Sequence, residues 1–326
     1  MTMNHLAEVA RKIAATTFAI EAAGALALGF IWFKELGARA FYLGLFHSVS
    51  AFNNAGFDLF GSFRSLSRFA EKELVLIVFM LLVVLGGLGF VVIWELRHFR
   101  DGHRFSFHSR VVLQTTIVLL LIGFAAAFAM EAANPQSLGE LTVSERIINA
   151  LFLSVTPRTA GFATVNVAHL SQSFLFLTII LMFIGASPGS TGGGVKTTSA
   201  AAVFSARLCS IRRRKNVNLC RRQIAPETVD KAETIIFLSA ALVICTTLLL
   251  NLTEDAPFLD LLFESASAFG TVGLSTGVTP FLSVPGKIAV MVTMFVGRLG
   301  PLTLAFALGR KGKNLIEYPK GSISLG

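Results

Sequence analysis

Three stretches decide the reading of this chain: Phe46–Phe60, FHSVSAFNNAGFDLF; Leu151–Val165, LFLSVTPRTAGFATV; and Phe263–Gly277, FESASAFGTVGLSTG. Each begins like an apolar helix and then breaks into small or polar residues that run up to a glycine. The shared glycines, Gly56, Gly161 and Gly273, lie 105 and 112 residues apart, too far for a solenoid but suited to a unit of helix, re-entrant loop and helix. Full-length apolar runs flank them at about 13–33, 74–96, 111–130, 174–206, 235–252 and 287–308, each able to cross a hydrocarbon core ~30 Å thick. The three stretches are too short to span. A half-length helix followed by irregular backbone can sit at membrane depth only inside protein or beside a water-filled cavity, which makes each a re-entrant loop. The expected architecture is therefore an all-α membrane protein of three tandem helix–re-entrant loop–helix units, 1–110, 111–222 and 223–326.

Composition agrees. Of 326 residues, 54% are hydrophobic and 14% charged, and mean hydropathy is +0.70, whereas soluble domains carry nearer a quarter charged residues. Secreted enzymes and cytosolic folds are thereby excluded. The net charge of +9 is confined to certain loops: segments 97–110, 207–222 and 310–320 hold fifteen Lys/Arg against two acids, and segments 58–73, 131–145 and 253–264 hold ten acids against three basic residues. By the positive-inside rule the basic loops are cytoplasmic and the re-entrant loops enter from the outer face, so the charge speaks for topology and not for nucleic acid. The acidic outer loops would concentrate cations at the entrance. Cys209, Cys220 and Cys245 are too few and too scattered for a disulfide framework or a zinc site and are expected as reduced thiols. No paired carboxylates, His cluster or nucleophile–base set points to an enzyme.

Each loop ends in four small, polar or glycine residues, with one exception: Asn53-Asn54-Ala55-Gly56, Arg158-Thr159-Ala160-Gly161 and Gly270-Thr271-Val272-Gly273. An extended strand of this kind can aim successive carbonyls at one axis, and glycine admits the positive φ and close approach that the last position demands. Rings of carbonyls replace the water shell of a dehydrated monovalent cation, and the C-terminal end of the preceding short helix favours a cation. Arg158 is the exception. A cationic side chain in a cation filter defeats its purpose, so it should point away from the axis and brace the loop, with Glu264 a candidate partner. Two further features follow. Gly185–Thr198 (GASPGSTGGGVKTT) cannot remain helical, and because Val195 separates Gly194 from Lys196 it is no phosphate-binding P-loop. It reads as a flexible segment under the filter. Arg298, near the middle of the last apolar run, must face a cavity or a partner; a pore-facing position and an ion pair with Glu21 are the alternatives. Glu21 itself is expected as a hydrogen-bonded packing residue, and Gly86-Gly87-Leu88-Gly89 as a site of close helix approach.

The three motifs SAFNNAGF, TPRTAGF and SAFGTVGLS closely resemble the Trk/Ktr/HKT superfamily of potassium transporters, most nearly the bacterial KtrB-type membrane subunit, over about Ala22 to Gly326. The resemblance implies a pore-forming potassium uptake subunit of the bacterial inner membrane. The four residues of each loop would form the filter. Gly189, Ser190, Thr191, Gly192, Gly193, Gly194 and Lys196 would belong to an intramembrane gate, with Arg298 projecting into the pore below the filter. It also implies K+ as transported ion with no bound cofactor, leaves Na+ open as an activator, and implies a homodimer docked on a cytosolic nucleotide-binding RCK ring of the KtrA/TrkA type. The basic residues of 207–222 face the side suited to such a partner, or to anionic lipid. Full members of the superfamily have four units, and the three here correspond to the second, third and fourth; the expectation is a fragment of a longer gene product. A secondary transporter binding a small solute at broken helices and a non-conducting assembly or regulatory subunit are the competing functions.

Overall fold

The computed structural model describes residues 3–61, 64–99, 104–214 and 216–300. The basic segment 310–320 and Pro301 lie outside them. Eleven α-helices appear in this order among the described residues: α1 (Met3–Leu36), α2 (Arg39–Phe52), α3 (Glu73–Leu88), α4 (Phe90–His98), α5 (Phe107–Glu131), α6 (Val143–Val155), α7 (Gln172–Phe183), α8 (Thr197–Ile211), α9 (Pro226–Thr253), α10 (Phe258–Gly270) and α11 (Val284–Leu299). A two-residue hairpin, Asn218–Leu219 with Arg222–Gln223, follows α8 in the basic segment.

The long helices α1, α5 and α9 are continuous and apolar enough to cross a bilayer. Their starts are set locally: the Ser106 hydroxyl accepts the Ser109 N–H ahead of α5, and Pro226 opens α9 where no helical N–H is needed. The short helices α2, α6 and α10 each pack on the long helix before them, α2 on α1, α6 on α5 and α10 on α9. The tightest of these seams is between α1 and α2, where Gly44 lies against the Ala25 carbonyl and Gly29. Helix α6 carries a capping box, Thr142 with Glu145.

The run 74–96 does not form the single continuous crossing expected of it, and the run 174–206 is interrupted at Gly185–Thr198 as its glycines and Pro188 imply. The first breaks at Gly89 (φ 89°) into α3 and α4, which bend by 107°. The second opens into a non-helical segment between Phe183 and Thr197. The third ends its helix at Leu299, with Gly300 at φ 88°, the same left-handed stop as Gly89. These interrupted helices also join neighbours: α3 packs on α6, and α7 on α10. Among the described residues no packing of comparable extent joins α11 to α2.

One hydrophobic cluster surrounds α1–α3 and α6, centred on Trp32 and Phe79, with Trp32 stacked on Phe69 at 5.1 Å. A second lies among α5–α7, α9 and α10 around Phe174, Phe263 and Phe269. Outward-facing Leu81, Leu121, Phe237 and Leu248 are more than half exposed, as lipid-facing side chains are. A clasp recurs at the loop end of each long helix. Glu35 meets Lys72, which precedes α3; Glu131 accepts the Ser171 N–H (2.9 Å) ahead of α7; Glu254 accepts the Ser283 N–H (2.8 Å) ahead of α11. The Ser283 hydroxyl and N–H hold the Glu254 carboxyl below its usual range.

Candidate functional site

The three glycine loops share one backbone conformation. Asn54, Thr159 and Thr271 have φ of 50°, 71° and 51°, and Gly56, Gly161 and Gly273, two residues on, have φ of 73°, 76° and 92°. A non-glycine residue in the left-handed region is uncommon and costs strain. Three at matching positions mean that the same turn is imposed on each loop by its surroundings. A hydroxyl at the end of each short helix helps to impose it: Ser50 Oγ donates to the Phe57 carbonyl (2.8 Å), Thr156 Oγ1 to the Phe162 carbonyl, and Ser267 Oγ accepts the Gly273 N–H (3.2 Å).

The loops converge in register. A methyl group placed on Gly56 would lie 2.8 Å from the Ala160 carbonyl oxygen and 3.2 Å from Gly161 Cα. One placed on Gly161 would overlap the Val272 carbonyl and lie 3.4 Å from Gly273 Cα. Gly56 and Gly161 thus each face the carbonyl immediately before the next loop's glycine, in one rotational sense, with no room for a side chain at either, whereas Gly273 has only Gly161 Cα near it.

Side chains of the first and third loops are fixed from behind. Asn53 Nδ2 donates to Glu21 Oε1 (2.7 Å) and to the Val49 carbonyl (3.0 Å), so Glu21 is a buried packing residue. With its side-chain amide turned so that the nitrogen faces acceptors, Asn54 donates to the carbonyls of Ala51 (3.2 Å) and Val83 (3.3 Å). His47 and Glu264, each nine residues before its loop glycine, do equivalent work: His47 Nε2 accepts the Leu59 N–H (3.3 Å) and Glu264 Oε1 accepts the Thr276 N–H (3.2 Å), each from the residue three beyond the glycine. Glu264 also accepts from the hydroxyls of Ser275 and Thr279. It is therefore committed to its own loop and is not the partner of Arg158. Arg158 is buried, and its Nη2 donates to the Gly185 carbonyl (3.3 Å).

Directly against these loops lies the Gly185–Thr198 segment. Its two limbs are zipped by a parallel bridge between Ile184 and Val195, and Gly189 and Gly194 both take φ of 70°. Three successive residues each meet a different loop. Thr191 Oγ1 donates to the Phe52 carbonyl at the base of the first (3.2 Å). Gly192 abuts Thr159 Oγ1 of the second, and Gly193 abuts Thr271 Oγ1 and the Gly270 carbonyl of the third. Two cations hold the same stretch. Lys196 Nζ donates to the Gly192 carbonyl (2.7 Å), and Arg298 Nη1 to the Thr191 carbonyl. Arg298 thus reaches the segment under the loops, and the alternative pair with Glu21 does not form. Ser190 Oγ donates to the Ser187 carbonyl (2.6 Å).

The segment also completes the break at Gly89. Ending α3 leaves carbonyls without helical partners; the Gly87 carbonyl accepts the Ser187 N–H (3.0 Å), the Gly86 carbonyl accepts the Thr191 N–H (3.3 Å) and hydroxyl (3.2 Å), and the Phe90 N–H returns a bond to the Gly189 carbonyl (3.2 Å). Gly86 is a contact glycine, as expected, but its neighbour is a helix end: a methyl there would overlap the Phe52 carbonyl, and one on Gly297 would overlap the Phe269 carbonyl. The sequence signal for these two equivalences was the shared Gly-x-Leu-Gly of Gly86–Gly89 and Gly297–Gly300.

Long apolar helices on which short helices pack, each short helix ending in a loop that meets its neighbours, define a multi-pass α-helical membrane protein. The sequence relationships agree: residues 1–314 match the TrkH cation transport protein family, and the chain belongs to that family. It is 40% identical over 325 residues to Ktr system potassium uptake protein B of Vibrio alginolyticus, covering 99% of this chain and 71% of the relative. It is 35% identical over 311 residues to the protein of the same name from Bacillus subtilis (strain 168), covering 95% and 69%. The crystal structure of the potassium transporter TrkH from Vibrio parahaemolyticus shares the fold, with a TM-score of 0.75 at 20% identity, over 95% of this chain and 65% of that one.

Proposed function

We propose that this chain forms the ion path of a potassium uptake system in a bacterial inner membrane, with K+ passing between the carbonyls of Asn53–Gly56, Arg158–Gly161 and Gly270–Gly273. The observation that carries the reading is the convergence of three loops with matching left-handed residues, Gly56 and Gly161 each facing the next loop's carbonyl. Backbone oxygens so arranged can replace a hydration shell, and the short helices end toward the same axis. Two curated relatives of similar length coverage bear the name potassium uptake protein. Glycine at all three positions favours potassium over sodium, and Na+ remains a candidate activator.

The gate in this reading is the stretch Gly189–Gly194 with Lys196 and Arg298. This reading takes the observed arrangement as the closed one, since Thr191, Gly192 and Gly193 each lie against a different loop. Opening requires this stretch to swing away from its two cationic latches while the bridged neck at Ile184 and Val195 stays in place. The three units, 1–110, 111–222 and 223–326, would occupy three parts of a ring, and the uncovered faces of α2 (Tyr42, Leu45) and α11 (Met291, Phe295) suit a further unit of the same kind. Basic loops would face the cytoplasm, where a nucleotide-binding RCK ring would dock on a homodimer.

The test is 86Rb+ uptake and growth at low potassium in a strain lacking its own uptake systems, carrying the complete gene product. Restored growth that Gly161→Asp abolishes is expected. Growth and uptake unchanged by Asp at Gly56, Gly161 and Gly273 would refute the proposal.

A further inference from the structure

Arg158 presents a problem that its bond to Gly185 does not solve. It is 6% exposed, and no carboxylate pairs with it among the described residues. No protein acceptor reaches its Nη1. Thr116, on α5, is equally buried, and its Oγ1 also lacks a protein partner. Both side chains line the same cavity of about 10 Å3, walled by Val83 and Gly87 of α3, Leu120 of α5 and Val155 of α6. Orphaned polar atoms at membrane depth are costly, and two of them on one small cavity are a polar site for a third group. The space suits one water-sized species, which needs at least two polar partners.

We propose that a single buried water bridges Arg158 Nη1 and Thr116 Oγ1. It accepts from the guanidinium, bonds the threonine hydroxyl, and completes a strut from α5 through the second glycine loop to the neck of the Gly185–Thr198 segment. Arg158 then holds its charge without a carboxylate beside the ion path. As a positioning residue it ties the loop whose carbonyls face the axis to the segment closing that axis, so a change in one is felt in the other. The strut's role rests on the proposed ion path; the water does not.

The experiment has a structural and a functional arm, both on the complete gene product. High-resolution density, with and without bromide in place of chloride, should show one non-anomalous feature within hydrogen-bond distance of both atoms, lost in Thr116→Val. An anomalous bromide peak would overturn the water in favour of a halide; a direct Arg158–Thr116 bond, or no density, would overturn the site. In purified, folded Thr116→Val, the ratio of Rb+ to Na+ uptake should fall severalfold, and Thr116→Ser should restore it. An unchanged ratio in a variant that has lost the density would overturn the strut.

Discussion

The first and second interrupted helices break at one level of the molecule and are built differently. Between α3 and α4 a single glycine, Gly89, makes the turn; between α7 and α8 the chain leaves the helix for the whole of Ile184–Lys196. The short break leaves carbonyls bare, and the long one supplies the N–H groups and the Thr191 hydroxyl that cap them. Neither would be tolerable alone in a low-dielectric setting, because unsatisfied backbone there costs several kcal/mol per group. The comparison shows how a non-helical segment can persist beneath the glycine loops: it is held by bonds to another broken helix and by two cations.

The strongest challenge to this comparison is at Gly86 and Gly297. Valine at either would collide with a carbonyl in the last turn of a short helix, an overpacking expected to cost about 3 kcal/mol and to abolish transport. Alanine at Gly87, whose nearest neighbour would be 3.5 Å away, should be tolerated; equal damage at Gly86 and Gly87 in a thermal-melt assay would remove the special role of the helix-end contact. Next in size is Gly192→Ala. Its methyl would overlap Thr159 Oγ1 and crowd Ala186, so the closed segment should lose about 2 kcal/mol and Rb+ flux in proteoliposomes without a regulatory subunit should rise more than tenfold.

Arg298→Gln removes a charged donor from the Thr191 carbonyl. A charged hydrogen bond from an exposed side chain contributes about 1.5 kcal/mol, the low end for its kind, so unregulated flux should rise about tenfold; unchanged flux would mean that Arg298 is no latch. The smallest effect is expected for Thr191→Val, which loses one hydroxyl shared between the carbonyls of Phe52 and Gly86. At about 1 kcal/mol it should raise flux about fivefold, and a larger rise than that of Arg298→Gln would reverse the ranking of the bonds.

The glycine loops were legible in the sequence because their chemistry is local: Gly56, Gly161 and Gly273 end similar strings, and the helices before them have the boundaries that apolar runs imply. The break in the second apolar run was not, since Gly86-Gly87-Leu88-Gly89 reads equally as a packing seam and the apolar pattern continues through it. What makes it a break is Gly89 at positive φ with partners about a hundred residues away. Charge alone argued that Arg158 should be braced by a partner, but not which one, because Glu264 is used up by Ser275, Thr276 and Thr279. His47 and Glu264 hid their equivalence behind different side chains, and the clasps of Glu131 and Glu254 depend on long-range pairing that no spacing encodes.

The most direct test is anomalous scattering from Rb+ bound to the purified complete gene product. The expected result is density on the axis between the carbonyls of Asn54–Gly56, Thr159–Gly161 and Thr271–Gly273, stopping above Thr191–Gly193. Rb+ bound only elsewhere, with none between these loops at a concentration that saturates uptake, would contradict the assignment of the ion path.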